Sequence, residues 1–91
     1  MIRTFTLKDY YGFLRKKRKI TQRQHDLLGM LLGTPKPFTL KDLFEDEQFK
    51  IIYRKASERT ARRDIKNLES QGLLKQEKET SGYLLNLHVI E

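Results

Sequence analysis

Four cationic side chains, Arg59, Arg62, Arg63 and Lys66, fall within eight consecutive positions of this 91-residue chain. A guanidinium is a planar fork of donors that can grip a guanine edge or a phosphate, and an ammonium is a point charge suited to phosphate. Ser57 and Thr60 add hydroxyls to the same stretch. A second basic group, the run Arg15-Lys16-Lys17-Arg18-Lys19, is a candidate for sequence-independent phosphate contact. It has a simpler reading too, since cations near a helix C-terminus interact well with the last carbonyls. Other chemistry is missing from the sequence. His25 and His88 lie far apart, and neither sits in a metal-ligand spacing such as His-Glu-x-x-His. The five glycines are isolated, so none forms a phosphate-cradling loop. With no catalytic constellation, metal site or cofactor site, enzymatic activity is not expected. The absence of cysteine excludes disulfides and thiolate metal sites.

The cations around Arg59 need a helix to present them. Ser57 is a favoured N-cap, and Glu58 follows in the first turn, where the helix dipole favours a negative charge. Ala61, Ile65 and Leu68 recur at spacings of four and three, one stripe of a helix with about 100° per residue. Gly72 suits the left-handed position that commonly closes a helix. Opposite the stripe fall Arg59, Arg63, Lys66 and Ser70, with Thr60, Arg62 and Asn67 flanking them. Glu58, Asp64 and Glu69 fall nearer the buried edge, placed to hold neighbouring basic side chains. Leu73 and Leu74 then open a strand, Gln76 to Ser81 form a polar hairpin tip, and Gly82 begins the return. In the returning strand Tyr83, Leu85, Leu87 and Val89 alternate with Leu84, Asn86, His88 and Ile90.

Upstream, Phe5-Thr6-Leu7-Lys8-Asp9-Tyr10 and Phe38-Thr39-Leu40-Lys41-Asp42-Leu43 are near copies. Each pairs an N-cap Thr with an Asp three residues on, and brackets the cap with apolar residues in a hydrophobic staple. The first predicts a helix from about Leu7 to Arg18, with Leu7, Tyr10, Tyr11 and Leu14 as its stripe. Thr21 with Gln24 makes a capping box ahead of Leu27, Leu28, Leu31 and Leu32, and Gly33 with Pro35 and Pro37 ends that helix. A third helix begins at Thr39, with Leu40, Leu43 and Phe44 inward. Phe49, Ile51, Ile52 and Tyr53 predict one more short helical turn. That insertion makes the gap before the Ser57 helix longer than in a tight helix-turn-helix. The acidic Glu45-Asp46-Glu47 would repel DNA at a groove, and the expectation is that it faces away.

The stretch from Ser57 to Leu74 follows the pattern Ser-x-x-Thr-Ala-x-Arg-Asp-Ile-x-x-Leu-x-x-x-Gly-Leu-Leu, and resembles the recognition helix and first wing strand of winged-helix domains. DeoR-type bacterial regulators share much of it. The closer likeness is to the C-terminal winged-helix domain of Fic-type proteins, where a Tyr-Arg pair (here Tyr53 and Arg54) precedes the serine and a Thr-Leu-Lys-Asp-Leu helix start (Thr39 to Leu43) comes earlier. The likeness covers about residues 20 to 90. Fic catalysis depends on a His-Pro-Phe motif and a Gly-Asn-Gly-Arg loop, and neither occurs here, so the resemblance implies no AMP-transfer activity.

The expected fold is therefore mainly α with a small β-hairpin: a winged helix-turn-helix with an extra N-terminal helix. Residues 1–20 form that helix with its basic end, and residues 21–91 form the winged-helix domain, together one compact unit. The net charge of +7 is uneven. Residues 1–20 hold seven Lys/Arg against one Asp, whereas residues 57–72 hold four against three and residues 73–91 two against three. Long-range attraction to phosphate thus comes mainly from the N-terminal segment, and an acidic wing tip is a poor phosphate contact. The expected function is a DNA-binding module of a bacterial transcription regulator or Fic-type protein, with the Ser57–Gln71 helix in the major groove of double-stranded DNA. Ser57, Arg59, Thr60, Arg62, Arg63 and Lys66 are its contact residues, and a homodimer would match half-sites. The alternative is a non-catalytic protein-interaction or regulatory domain accompanying a Fic-type catalytic domain. No apolar run approaches the roughly 20 residues that cross a bilayer, and no signal-peptide apolar segment opens the chain, so no membrane partner and a cytoplasmic location are expected.

Overall fold

The computed structural model describes residues 6–33, 36–79 and 81–88. The element order is α1 (Leu7–Lys16), α2 (Gln22–Gly33), α3 (Asp42–Glu45), α4 (Glu47–Tyr53), α5 (Glu58–Ser70), β1 (Leu74–Glu77) and β2 (Gly82–Leu85). This is a mainly helical winged helix-turn-helix with an additional N-terminal helix. Among the described residues no helix is long and apolar enough to cross a membrane.

The caps form as their residue types require. Thr6 Oγ1 accepts from the Asp9 amide at 3.1 Å and Asp9 Oδ2 from the Thr6 amide at 3.1 Å. Thr21 and Gln24 exchange the same two bonds at 3.1 and 3.2 Å, and Thr39 and Asp42 at 2.8 and 3.3 Å. After Thr39 the chain first makes a tighter i to i+3 turn, so regular α-helix starts only at Asp42. The Phe38–Leu43 pair of the second staple is buried; the first staple involves Phe5, which lies outside the described residues.

Two helices end in the same way. At α5, Gly72 has φ 77°, Leu73 donates to the Leu68 carbonyl at 2.9 Å, and Gly72 donates to the Glu69 carbonyl at 2.9 Å. This is a Schellman closure. At α1 the same two bonds run from Lys19 to Leu14 (2.9 Å) and from Arg18 to Arg15 (3.0 Å), with Arg18 itself at φ 61°. The helix therefore stops at Lys16 rather than at Arg18. The left-handed residue is an arginine, so no glycine marked the end in the sequence.

Phe49 and Tyr53 of α4 are buried, while Ile51 points out and is 80% exposed. Only residues 54–57 separate α4 from α5. The short helix expected as an insertion is thus itself the first arm of the helix-turn-helix, and the turn is tight.

The strands pair antiparallel with Leu74 opposite Leu85 and Glu77 opposite Gly82, so Gln76 and Glu77 belong to the strand rather than to the hairpin tip. Phe38 adds a short third rung. Its amide donates to the Tyr83 carbonyl at 2.9 Å, and the Tyr83 amide donates back at 2.6 Å. A Cβ at Gly82 would run into the Phe38 carbonyl, so glycine is required by this close approach. The return strand ends at Leu85, earlier than its alternation implied. The ladder ends at Asn86: its amide makes a last bond to the Leu73 carbonyl at 3.0 Å, while its Nδ2 donates to the Gly72 carbonyl at 2.8 Å and its Oδ1 accepts from the His88 amide. Val89 and Ile90 lie outside the described residues. Leu27, Leu28, Leu31, Leu43, Leu68, Leu73 and Leu85, with Phe38, Phe49 and Tyr53, form one continuous core.

Candidate nucleic-acid interface

The site is built on α5. Ala61, Ile65 and Leu68 are buried in the core, as is Asp64. Ser57 caps the helix, accepting from the Thr60 amide at 3.1 Å, and the two hydroxyls lie 3.1 Å apart. Arg59, Arg62, Arg63 and Lys66 are exposed, and Thr60 is half-buried. Burial of the apolar stripe thus forces the cations outward.

Their partners differ. Arg62 Nη2 and Nε reach Glu58 Oε1 at 2.6 and 3.1 Å, one turn back on the helix. Among the described residues no carboxylate pairs with Arg59, Arg63 or Lys66. Asp64, expected near the buried edge, is sealed beneath the helix. It accepts from Arg23 Nε at 2.5 Å and Nη2 at 2.9 Å, from Gln24 Nε2 at 2.8 Å and from the Tyr53 hydroxyl at 2.9 Å. Burial pushes its pKa up, but the bonds from Arg23, Gln24 and Tyr53 and the charge of Arg23 outweigh this and hold the carboxyl below its ordinary value. Burial, and then the Asp64 carboxylate, push the Tyr53 hydroxyl well up. The network fixes α5 against α2 and α4, and cancels an acid that would otherwise offset the cations.

Asn67 does not join the outer face. Its Nδ2 donates to the Lys19 carbonyl at 3.1 Å and to Gln24 Oε1 at 2.9 Å. Gln71 Nε2 donates to the same Lys19 carbonyl at 2.7 Å and to Asn67 Oδ1 at 3.2 Å. These bonds bring the end of the basic run against the C-terminal half of α5. Arg15, Lys16, Lys17, Arg18 and Lys19 are all exposed, and Lys17 Nζ sits 5.8 Å from the Phe13 ring centroid. Nothing in the spacing of these residues signalled the connection, because it runs through a backbone carbonyl.

On the other flank of α5, Arg62, Ile65, Lys66 and Glu69 line a groove of about 490 Å3 with Leu40 and Tyr83. The wing carries Glu77 and Glu79 toward its tip, with Glu79's amide bonded to Glu77 Oε1 at 2.9 Å. The acidic segment 45–47 is not wholly remote from α5. Glu45, ion-paired with Lys41 at 3.9 Å, shares a groove of about 590 Å3 with Leu40, Phe44 and Glu58 at the start of α5. Asp46 caps α4 by accepting from the Gln48 amide at 2.9 Å.

No family model, curated protein or solved structure matches the chain.

Proposed function

We propose that this chain is a DNA-binding winged-helix module, of the kind carried by bacterial regulators or Fic-type proteins, that presents α5 to the major groove. One observation carries the reading. Arg59, Arg63 and Lys66 stand exposed and without carboxylate partners among the described residues, on a rigid helix whose far end is tied to the Arg15–Lys19 run. In this reading the two basic groups act together: α5 supplies side chains to base edges and the run supplies charge to the flanking phosphates. The acidic wing takes no part in that contact.

The test is binding of random duplex DNA at two salt concentrations. The logarithm of affinity should fall with the logarithm of salt by about 0.9 per phosphate contacted. Replacing Arg59 and Arg63 together by alanine should weaken binding, and both are exposed, so the fold should persist. No binding at low salt would overturn the proposal.

The groove shared by Glu45 and Glu58 favours a second reading, a protein-interaction or regulatory domain that docks a partner across α3 and the start of α5. In that case the alanine pair would leave partner binding intact.

A further inference from the structure

We infer that the outer face of α5 reads guanine, at two positions about two base-pair steps apart. The inference rests on the DNA-binding reading above. Adenine is read in the major groove chiefly by Asn or Gln, whose amide spans N6 and N7. α5 and its C-cap carry one of each, and both are engaged inside the molecule. Both Asn67 Nδ2 bonds are accounted for by Lys19 and Gln24, and its Oδ1 accepts from Gln71, whose own amide nitrogen holds the Lys19 carbonyl. Arg62 is held by Glu58. The forks that remain outward are Arg59 and Arg63, and a guanidinium pairs bidentately with guanine O6 and N7. Four residues of helix separate them by about 6 Å, close to the roughly 7 Å of two steps at 3.4 Å each.

Selection of bound duplexes from a random library by the full chain should enrich two guanines at this spacing. In the enriched duplex, replacing either guanine by 7-deazaguanine, which keeps Watson–Crick pairing but removes N7, should weaken binding on the order of ten-fold. Arg59→Ala should abolish the effect at one position and Arg63→Ala at the other. Asn67→Ala should leave both effects in place. Circular dichroism and a thermal melt establish that each variant is folded. Enriched sites without guanine, or indifference to 7-deazaguanine, would overturn the inference and leave the DNA-binding proposal standing if binding remains salt-dependent. No binding of any duplex at low salt would overturn both.

Discussion

Arg23 on α2 and Asp64 on α5 form a two-bond ion pair beneath the basic outer face of α5, 2.5 Å from Nε to Oδ2 and 2.9 Å from Nη2 to Oδ1. The carboxylate is buried, whereas the Arg23 side chain is 33% exposed. That asymmetry sets the cost of breaking the pair. Arg23→Met leaves a buried carboxylate supported, among the described residues, by Gln24 and Tyr53 alone, and should destabilise the fold by about 3 kcal/mol or more. Asp64→Asn removes the buried charge and lets Arg23 turn to water, and should cost about 1.5–3 kcal/mol. Urea denaturation of the two variants checks the order.

The pair also fixes an acid response. The folded pKa of Asp64 lies below its ordinary value of 3.8, so the unfolded chain takes up the proton first. Its stabilisation is whole well above pH 3.8 and is lost as the pH falls from there through the folded value. The stability gap between wild type and Asp64→Asn should therefore be constant near neutrality and shrink below pH 3.8. In Arg23→Met the carboxyl loses its charged partner, so acid unfolding should begin at higher pH. A gap that stays constant down to acid unfolding would refute this account.

Much of this arrangement was legible in the chain. The capping residues, the Ala61–Ile65–Leu68 stripe and Gly72 declared α5 because each acts through local physics: an orphan amide, a helical period, a left-handed residue. Asp64 was readable only as lying near the buried edge. Its partner Arg23 stands 41 positions earlier, and no local pattern encodes that meeting. The connection between Asn67 and Lys19 was hidden for a different reason, since a backbone carbonyl has no side-chain identity to read. The early ends of α1 and β2 carry no glycine or proline signal: at α1 Arg18 takes the left-handed position, and at β2 the Asn86 side chain bonds the Gly72 carbonyl and the His88 amide.

Tyr11 is buried in the core, and among the described residues its hydroxyl has no hydrogen-bond partner. Burial pushes its pKa up to about 12, so the group stays neutral and its cost is that of an unsatisfied donor. Tyr11→Phe keeps the ring and removes the orphan. The variant should be stabilised by about 1 kcal/mol, seen as a higher melting temperature. A lower one would mean the hydroxyl finds a partner in solution.

Asn67 and Gln71 should act on DNA binding without touching DNA. Replacing both by alanine releases the Lys19 carbonyl while leaving every formal charge in place. The basic run would then lose the side-chain bonds that hold its end against α5, and affinity at moderate salt should fall several-fold, since the loosened end must be reordered on binding. Wild-type affinity with a normal melt would show that the tether does not position the run.

Glu58 should have opposite effects on stability and on binding. It sits in the first turn of α5, where the helix dipole favours its charge by about 0.3–1 kcal/mol. Its pair with Arg62 is exposed on both sides and adds about 0.3–0.5 kcal/mol. Glu58→Gln should therefore lower stability by roughly 1 kcal/mol or less. The same change removes a negative charge beside the α5 cations and frees Arg62 to meet a phosphate. Duplex affinity should rise, and the salt dependence should steepen by about one phosphate contact. A purely structural role for the pair would lower both quantities together. If the groove at the start of α5 instead docks a protein, Glu58→Gln would weaken that partner and leave DNA unaffected, so one variant separates the two functional readings.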